Sequence, residues 1–393
     1  MFINELPEEC LLIIFGLINE LDDLVNCYKV CCKWSHLIVE RTRKVKYLIE
    51  HEGDWPDRKP FPSYPLNHVY YQTEEPIDGT CLDTLFPNLM VADFCTKFCK
   101  KVGYEDIVAW VKKIKSLKGI IGSFYKGDKS IFQYCDQLEM VATRFEWYIE
   151  PCLKKNGAGI KQLEIGGCSL DTFMEDAEYF PNLERLFIFH SEDWPAGYYT
   201  NGAILSRLKI VGLSLNTYSD YIYHGFKFIN SCPNLQSAHI RLYSNHIFVD
   251  ESMKHESLQD LVLQFYSDDF CWNQLKELLK KYPNLKHLAL REFISLENET
   301  VLQLVNILPN LVLFDARGCI KVTQEAASYV QDYNRLHGRL IKFYFDGNYR
   351  EIHSDWPQLS TKWEIISQGF DFMKHCFLKD FYDLPTFLIP SED

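Results

Sequence analysis

No apolar run in this chain of 393 residues is long enough to cross a bilayer as a helix. The longest, Cys10 to Ile18, falls far short of the roughly 20 residues that a span requires. Positive charge is also scarce. Lys and Arg number 41 against 54 Asp and Glu, giving a formal net charge of -13 and a pI near 5.4. That balance disfavours general binding to nucleic acid or to an anionic membrane, although it leaves room for a local basic patch. The first residues lack the charged segment and cleavage site of a secretory signal. Missing too are a triad signature, a phosphate-binding glycine loop and an H-E-x-x-H metal motif. Cys95 and Cys99 stand at C-x3-C spacing, half of a zinc site, but no second Cys or His pair follows at useful spacing. Cys95 also falls on an expected strand. We therefore expect no catalytic residue, no metal and no cofactor.

Cysteine itself is plentiful. Fourteen scattered residues fit a reducing cytoplasm or nucleus, with the thiols mostly free and buried. The glycosylation sequon Asn298-Glu299-Thr300 is then a chance match. Hydrophobic residues at 47% and aromatics at 15% describe a folded protein, and the length allows two or three domains. Lys112, Lys113, Lys115 and Lys118 accompany Val108, Trp110, Val111 and Ile114 in an amphipathic helical pattern, which makes them a solvated face.

The first forty residues carry more apolar surface than so small a module hides. Pro7 suits the first turn of a helix, and Glu8 and Glu9 complement its positive end. Leu11, Phe15 and Ile18 make one apolar stripe at i, i+4, i+7. Ile14, Leu17 and Leu21 make another, so this helix needs cover on both sides. Asp22 or Asp23 reads as the cap of a second helix bearing Leu24, Cys27, Tyr28 and Cys31. Trp34, Leu37 and Ile38 begin a third. About forty residues rarely form a self-sufficient core, and the surplus surface calls for a partner.

The run Leu6-Pro7-Glu8-Glu9, Leu11-Leu12, Ile14-Phe15, Leu17, Asp23-Leu24, Val30-Cys31, Lys33-Trp34 and Leu37 resembles the F-box motif. The resemblance implies a three-helix module that docks on a Skp-type adaptor and, through it, on a cullin scaffold and a RING subunit. It assigns Leu6, Pro7, Leu11, Ile14, Leu24, Val30, Cys31 and Trp34 to adaptor binding or its immediate support.

Between Leu89 and Asn348 the chain repeats itself as L-x-x-L-x-L-x-x-(N/C). Clear copies are Ile160, Leu163, Ile165, Cys168; Leu208, Val211, Leu213, Asn216; and Leu285, Leu288, Leu290, Phe293. Two more are Leu311, Phe314, Ala316, Cys319 and Leu340, Phe343, Phe345, Asn348. Others start at Leu183, Leu235 and Leu258, and weaker ones at Leu89, Leu117 and Leu138. Successive first positions lie 21 to 29 residues apart, the period of leucine-rich repeats. Pro-Asn-Leu recurs at Pro87, Pro181, Pro233, Pro283 and Pro309, where proline ends the preceding helix. Trp272 to Lys281 and Glu299 to Leu308 read as intervening helices. The expected fold is α/β: a three-helix F-box in residues 1–48, a connector or cap in 49–85, and repeats over 86–348. The repeats are expected as a horseshoe, with parallel strands on the concave face and helices outside. An aromatic C-terminal cap or tail follows in 349–393.

The combination resembles F-box proteins with leucine-rich repeats. That implies a non-catalytic substrate-recognition subunit of a Skp–cullin–F-box ubiquitin ligase, holding an unidentified protein on the repeats. A scaffold or inhibitor that binds the adaptor without ubiquitin transfer is the alternative. Two-residue alternation places Arg241, Gln264, Arg291 and Arg317 on the concave side of four consecutive strands, with His239 and His287 nearby. Such a basic patch suits an acidic or phosphorylated segment. The competing reading is internal pairing with Asp260 and Asp315. Phe187, Phe189 and Tyr344 project from the same face, as anchors for a partner or beneath the aromatic tail.

Overall fold

The computed structural model describes residues 3–51, 67–122, 131–143, 151–190, 204–216, 220–250, 252–267 and 269–390. Pro56, Pro60, Pro62 and Pro65 of the expected connector lie outside the described residues. The chain divides into two compact units, which meet in sequence between Ile160 and Lys161.

In the first unit, Leu11 and Phe15 form the inner face of α1 (Glu8–Gly16). Pro7 stands one residue ahead of this helix, not in its first turn, where it costs no hydrogen bond. Leu21, Leu24 and Val25 are the buried face of α2 (Leu21–Tyr28). Asp22 and Asp23 lie in its first turn, and Glu20 takes the cap position expected for one of them. Leu37 and Ile38 of α3 (Cys32–Thr42) close the three-helix core. The chain then enters β1 (Tyr47–Glu50), followed by β2 (His68–Tyr71), α4 (Leu82–Leu85) and β3 (Val91–Asp93). Next come α5 (Thr96–Lys101), α6 (Tyr104–Val111), β4 (Gly119–Gly122), β5 (Met140–Thr143) and α7 (Pro151–Asn156). The strands are parallel, in the order β5-β4-β3-β1-β2. The sheet therefore begins earlier than expected: β1 and β2 bring the 49–85 segment into it. Cys95, expected on a strand, is instead the residue before α5.

The helical module is built into this sheet. Tyr70 N donates to Asn19 O at 2.8 Å, and the Arg41 guanidinium donates to Asn19 Oδ1 at 2.7 Å. Lys101, at the end of α5, is buried and pairs with Asp22 of α2 at 2.7 Å. It also donates to Thr73 Oγ1 at 3.0 Å and Glu75 O at 2.9 Å. A buried ammonium needs this full set of partners, so breaking one of them is costly.

The second unit runs β6 (Gln162–Gly166), α8 (Leu170–Asp176), β7 (Arg185–His190), β8 (Ile210–Leu215), β9 (Ile222–Tyr223) and α9 (Gly225–Asn230). It continues with β10 (Ser237–Leu242), β11 (His246–Ile247), β12 (Asp260–Phe265), α10 (Trp272–Leu279) and β13 (His287–Arg291). The last repeats hold α11 (Asn298–Ile307), β14 (Leu313–Asp315), α12 (Gln324–His337) and β15 (Lys342–Tyr344). Beyond them come α13 (Ile352–Asp355), β16 (Ile366–Gln368), α14 (Phe372–His375) and β17 (Phe387–Ile389). The parallel order is β6-β7-β8-β10-β12-β13-β14-β15, while β9 pairs with β11 and β16 with β17. This is a leucine-rich-repeat architecture of parallel strands and intervening helices, as expected. α10 and α11 match the two expected helices within two residues.

Strand register follows the repeat read from the sequence. Leu163 stands beside Leu186, then Val211, Ala238, Leu261, Leu288, Phe314 and Phe343 on successive strands. In the first unit Ala92, Ile120 and Val141 align in the same way. The first positions are buried from Leu89 to Leu311, but Leu340 is 86% exposed and its neighbour Ile341 is buried instead. The asparagine of Pro-Asn-Leu has a role as well. Asn234 Nδ2 donates to Ser206 O at 2.7 Å, Asn284 to Glu256 O at 2.8 Å and Asn310 to Pro283 O at 3.0 Å. Each reaches back one repeat and satisfies a carbonyl that no helix or strand uses. Asn298 of the sequon has its side chain engaged with Thr323 and Glu325.

The tail covers the strand face of its own unit. Phe377, Phe381, Leu384 and Leu388 pack in one core with Phe187, Val262, Ala289, Leu313 and Tyr344 from the strands. Gln162 clasps Leu388 from both sides, donating to its carbonyl at 2.6 Å and accepting from its N–H at 3.0 Å. Gly212 makes room for this packing: a Cβ there would lie 2.5 Å from the Phe187 ring, which itself rests 5.8 Å from Phe381.

Candidate functional site

α1 presents two faces. Leu11 and Phe15 point into the module and are fully buried or nearly so, whereas Cys10, Ile13, Ile14 and Leu17 are exposed. Their spacing of i, i+3, i+4, i+7 makes one continuous apolar stripe on the outer side. Ile13 is 69% and Leu17 79% exposed, and with Ile14 they form a contiguous exposed apolar patch. Ile3 and Val30 add exposed apolar surface.

The eight residues assigned by resemblance separate into two groups. Pro7, Ile14 and Val30 are exposed, and Leu6, Cys31 and Trp34 are partly buried. Leu11 and Leu24 are fully buried, so they hold the helices and offer no contact surface. Trp34 acts as a brace. Its indole donates to Asn4 Oδ1 at 2.7 Å, and its ring meets Phe15 edge-on at 5.0 Å. Lys33 Nζ donates to the carbonyls of Asn4 at 3.3 Å and Leu6 at 3.2 Å, tying the leading segment to α3. Ile3, Cys10 and Ile13 did not stand out in the sequence. The signal available for Cys10 and Ile13 was their offset from Ile14 and Leu17 on one helical face.

On the strand face, Arg241, Gln264 and Arg291 are register neighbours on β10, β12 and β13, and Arg317 lies two residues past the end of β14. The expected open basic ladder is not open, because tail and acidic neighbours occupy it. Arg291 is buried and donates to the carbonyls of Phe377 and Lys379, with Asp380 at 3.4 Å and Asp315 at 3.7 Å. Arg317 forks onto Asp315 at 2.8 to 3.1 Å and donates to Leu378 O at 3.4 Å. Burial opposes the charge on Asp315, but the two guanidiniums outweigh it and hold the carboxyl below its ordinary value. His287 Nδ1 lies 2.6 Å from Asp260 Oδ1, with Trp356 and Phe377 against its ring. Gln264 donates to the Tyr266 hydroxyl at 2.9 Å. Internal pairing with Asp260 and Asp315 thus accounts for His287 and Arg317. Phe187 and Tyr344 lie in the core beneath the tail, and Phe189 packs against its edge.

Further along β7, Arg185 is buried and donates to the carbonyls of Pro385 and Thr386, its guanidinium carbon 4.1 Å from the Phe187 ring centroid. Among the described residues, side chains of the strands and of Arg317 just beyond β14 therefore hold the main chain of the tail at four places, through Gln162, Arg185, Arg291 and Arg317. Charge-assisted bonds to carbonyls satisfy both partners in this dry setting.

The cysteine pair is part of the packing. Cys95 Sγ lies 3.1 Å from the Tyr71 hydroxyl, and Cys99 Sγ donates to Phe94 O at 3.5 Å. Burial, aided by Asp93, pushes the two thiols up to about 12 and about 11. Glu50, Asp93 and Cys95 bring one ligand atom each within 4.8 Å of one another, and Glu50 pairs with Lys97 at 2.8 Å. No helix among the described residues is long and apolar enough to cross a membrane.

Among solved structures, the chain is similar to one from the TLR13–ssRNA13 complex, at 14% identity and a TM-score of 0.38. That match covers 71% of this chain, which spans only 40% of the TLR13 complex chain. It is similar to the internalin inlF of Listeria monocytogenes, at 11% identity over 84% of this chain and 92% of that one, with a TM-score of 0.35. A chain of the yeast Rad7 and Elc1 complex gives 14% identity over 81% of this chain and 90% of that one, with a TM-score of 0.41. No curated protein sequence matches the chain. Residues 3–43, the segment that carries the exposed stripe of α1, match the F-box-like family model.

Proposed function

We propose that this chain is a non-catalytic substrate receptor of a Skp–cullin–F-box ubiquitin ligase, working in the cytoplasm or nucleus. Its F-box-like segment docks the Skp-type adaptor, and a protein substrate is held by the repeat unit. The observation that carries this reading is the outer stripe Cys10, Ile13, Ile14 and Leu17, together with Ile3, Pro7 and Val30, in a segment that matches the F-box-like model. Covering such a stripe is worth roughly 25 cal/mol for each Å² of apolar area removed from water. The chain's contribution to ubiquitin transfer is proximity, which raises effective concentration without chemistry of its own.

Copurification tests it. Wild-type chain brings down adaptor, cullin and RING subunit, and Ile13→Asp with Leu17→Asp loses all three while keeping the wild-type melting temperature. Retention of the adaptor by that variant overturns the assignment of the stripe. Adaptor without cullin, with no change in the lifetime of any captured protein, assigns the chain as a scaffold instead.

A further inference from the structure

Three consecutive repeats each set two polar side chains around a fully buried leucine. Arg207 and Lys209 bracket Leu208, Asn234 and Gln236 bracket Leu235, and Ser257 and Gln259 bracket Leu258. Lys209, Gln236 and Gln259 stand just ahead of β8, β10 and β12. Their backbones follow one another, Gln236 N donating to Lys209 O at 2.9 Å and Gln259 N to Gln236 O at 2.8 Å. The pairs therefore line up across the sheet at the leading ends of its strands, where with Glu184 and Ser206 they line a groove of about 540 Å³. Hydrogen bonds between repeats fix its walls, as Asn234 reaches Ser206 O and Ser257 Oγ donates to Pro233 O at 2.7 Å.

The groove is basic in an acidic protein. Glu184, the single carboxylate among its described lining residues, is taken by Lys209 at 2.7 Å. Arg207 is exposed and meets no carboxylate among the described residues, and the Gln236 amide has no partner there either. At the far end Lys286 Nζ donates to Gln259 Oε1 at 2.9 Å, which adds a third cation and leaves the Gln259 amide N–H groups to donate. Neighbouring acids do not cancel this surplus. Asp260 accepts from Ser237 Oγ at 2.6 Å and lies 2.6 Å from His287 Nδ1, while Glu256 is offset by Lys254.

We propose that this groove holds an acidic segment of the captured protein in extended form. An Asp or Glu carboxylate pairs with Arg207, and the flanking main chain bonds to the amides of Gln236 and Gln259. The proposal rests on the receptor reading and adds to it where the substrate sits and what chemistry it carries. Strands lie about 4.8 Å apart, so three repeats span about 10 Å, the length of about three extended residues. A phosphate group is the poorer match. It is held where backbone N–H groups or several cations converge, but the N–H groups of Lys209, Gln236, Gln259 and Lys286 are spent on the preceding strand and Lys209 is engaged.

The full-length chain, with and without adaptor, is panned against a random-peptide display library, and the enriched peptides are resynthesised as probes. The expected peptides carry an Asp or Glu. Replacing that acid by its amide, or making Arg207→Ala, weakens binding about fivefold, as befits an exposed ion pair. Both Arg207→Ala and Arg207→Glu keep the adaptor and the wild-type melting temperature, because the side chain is exposed. Arg207→Glu rejects the acidic peptide and binds the version with Lys in place of the acid, a swap that a purely structural role would not produce. Enriched peptides without an acid, no enrichment, or equal binding of the acidic peptide by wild type and Arg207→Glu overturns the proposal. So does tighter binding when phosphoserine replaces the acid. Failure of the groove with adaptor binding intact leaves the receptor reading standing, and loss of adaptor binding by the wild type strikes that reading alone.

Discussion

His239 sits in the middle of the covered strand face, fully buried, with neither ring nitrogen hydrogen-bonded and the Phe381 ring edge-on at 5.6 Å. Burial above all, then the charges of Arg291 and Arg241, holds its imidazole well below the ordinary value. In the unfolded chain the same ring takes up a proton near pH 6.5. Below that pH the unfolded state binds more protons, so folding stability falls as pH drops through this range and is insensitive to this group above it. His375, also lowered chiefly by burial, acts with the same sign. The melting temperature is expected to decline on acidification below about pH 6.5, and His239→Leu to flatten that decline. A His239→Leu profile as steep as the wild type removes His239 as the cause. Gly212 gives a second prediction. Its missing side chain leaves space for the Phe187 ring, so Gly212→Ala is expected to cost about 1–3 kcal/mol in urea denaturation.

Among the elements, α1 shows how far periodicity reaches. Two apolar stripes are legible from spacing alone, because side chains three and four residues apart share a helical face. Which stripe faces inward is not legible, because both are equally apolar; α3 decides it by packing on α1, with the Trp34 ring against Phe15. The two faces therefore differ in their tolerance of substitution. Leu11→Ala is expected to lose about 2–5 kcal/mol, as buried leucines do. Leu17→Asp is expected to change stability by about 0.5 kcal/mol or less while abolishing adaptor capture. Thermal melts beside copurification check both. Comparable destabilisation by the two variants sinks the division into faces. The repeat strands were more legible still. The offsets from Leu89 onward became the strand register, since each buried first position must stack on the one before it. The shift from Leu340 to Ile341 went unseen because both are aliphatic and the pattern accepts either.

At the scale of the second unit, the tail is part of the core. Its buried Phe377, Phe381, Leu384 and Leu388 each contribute on the order of 1.5–3 kcal/mol of burial. Together that is comparable to the 5–15 kcal/mol net stability typical of a folded domain. Truncation after Asp355 is expected to leave Phe187, Val262, Leu313 and Tyr344 uncovered and Arg185 without its carbonyl partners. The truncated chain should bind a hydrophobic dye and lose amide protection along β7 to β14. A truncation that stays monomeric and melts like the full chain refutes an integral tail.

Residue order alone settled the three-helix module, the period of the strands and the surplus apolar face of α1, since each depends on side chains a few residues apart. Tertiary structure decided which partners the basic residues of the strand face meet. It also decided that the tail lies over that face, and that Lys101 locks the helical module to the first sheet. Those outcomes depend on partners far apart in the chain, Gln162 and Leu388 being separated by 226 positions. No local pattern encodes such a pairing. Packing selects it, because buried guanidiniums and amides are stable only where the folded chain supplies matching carbonyls.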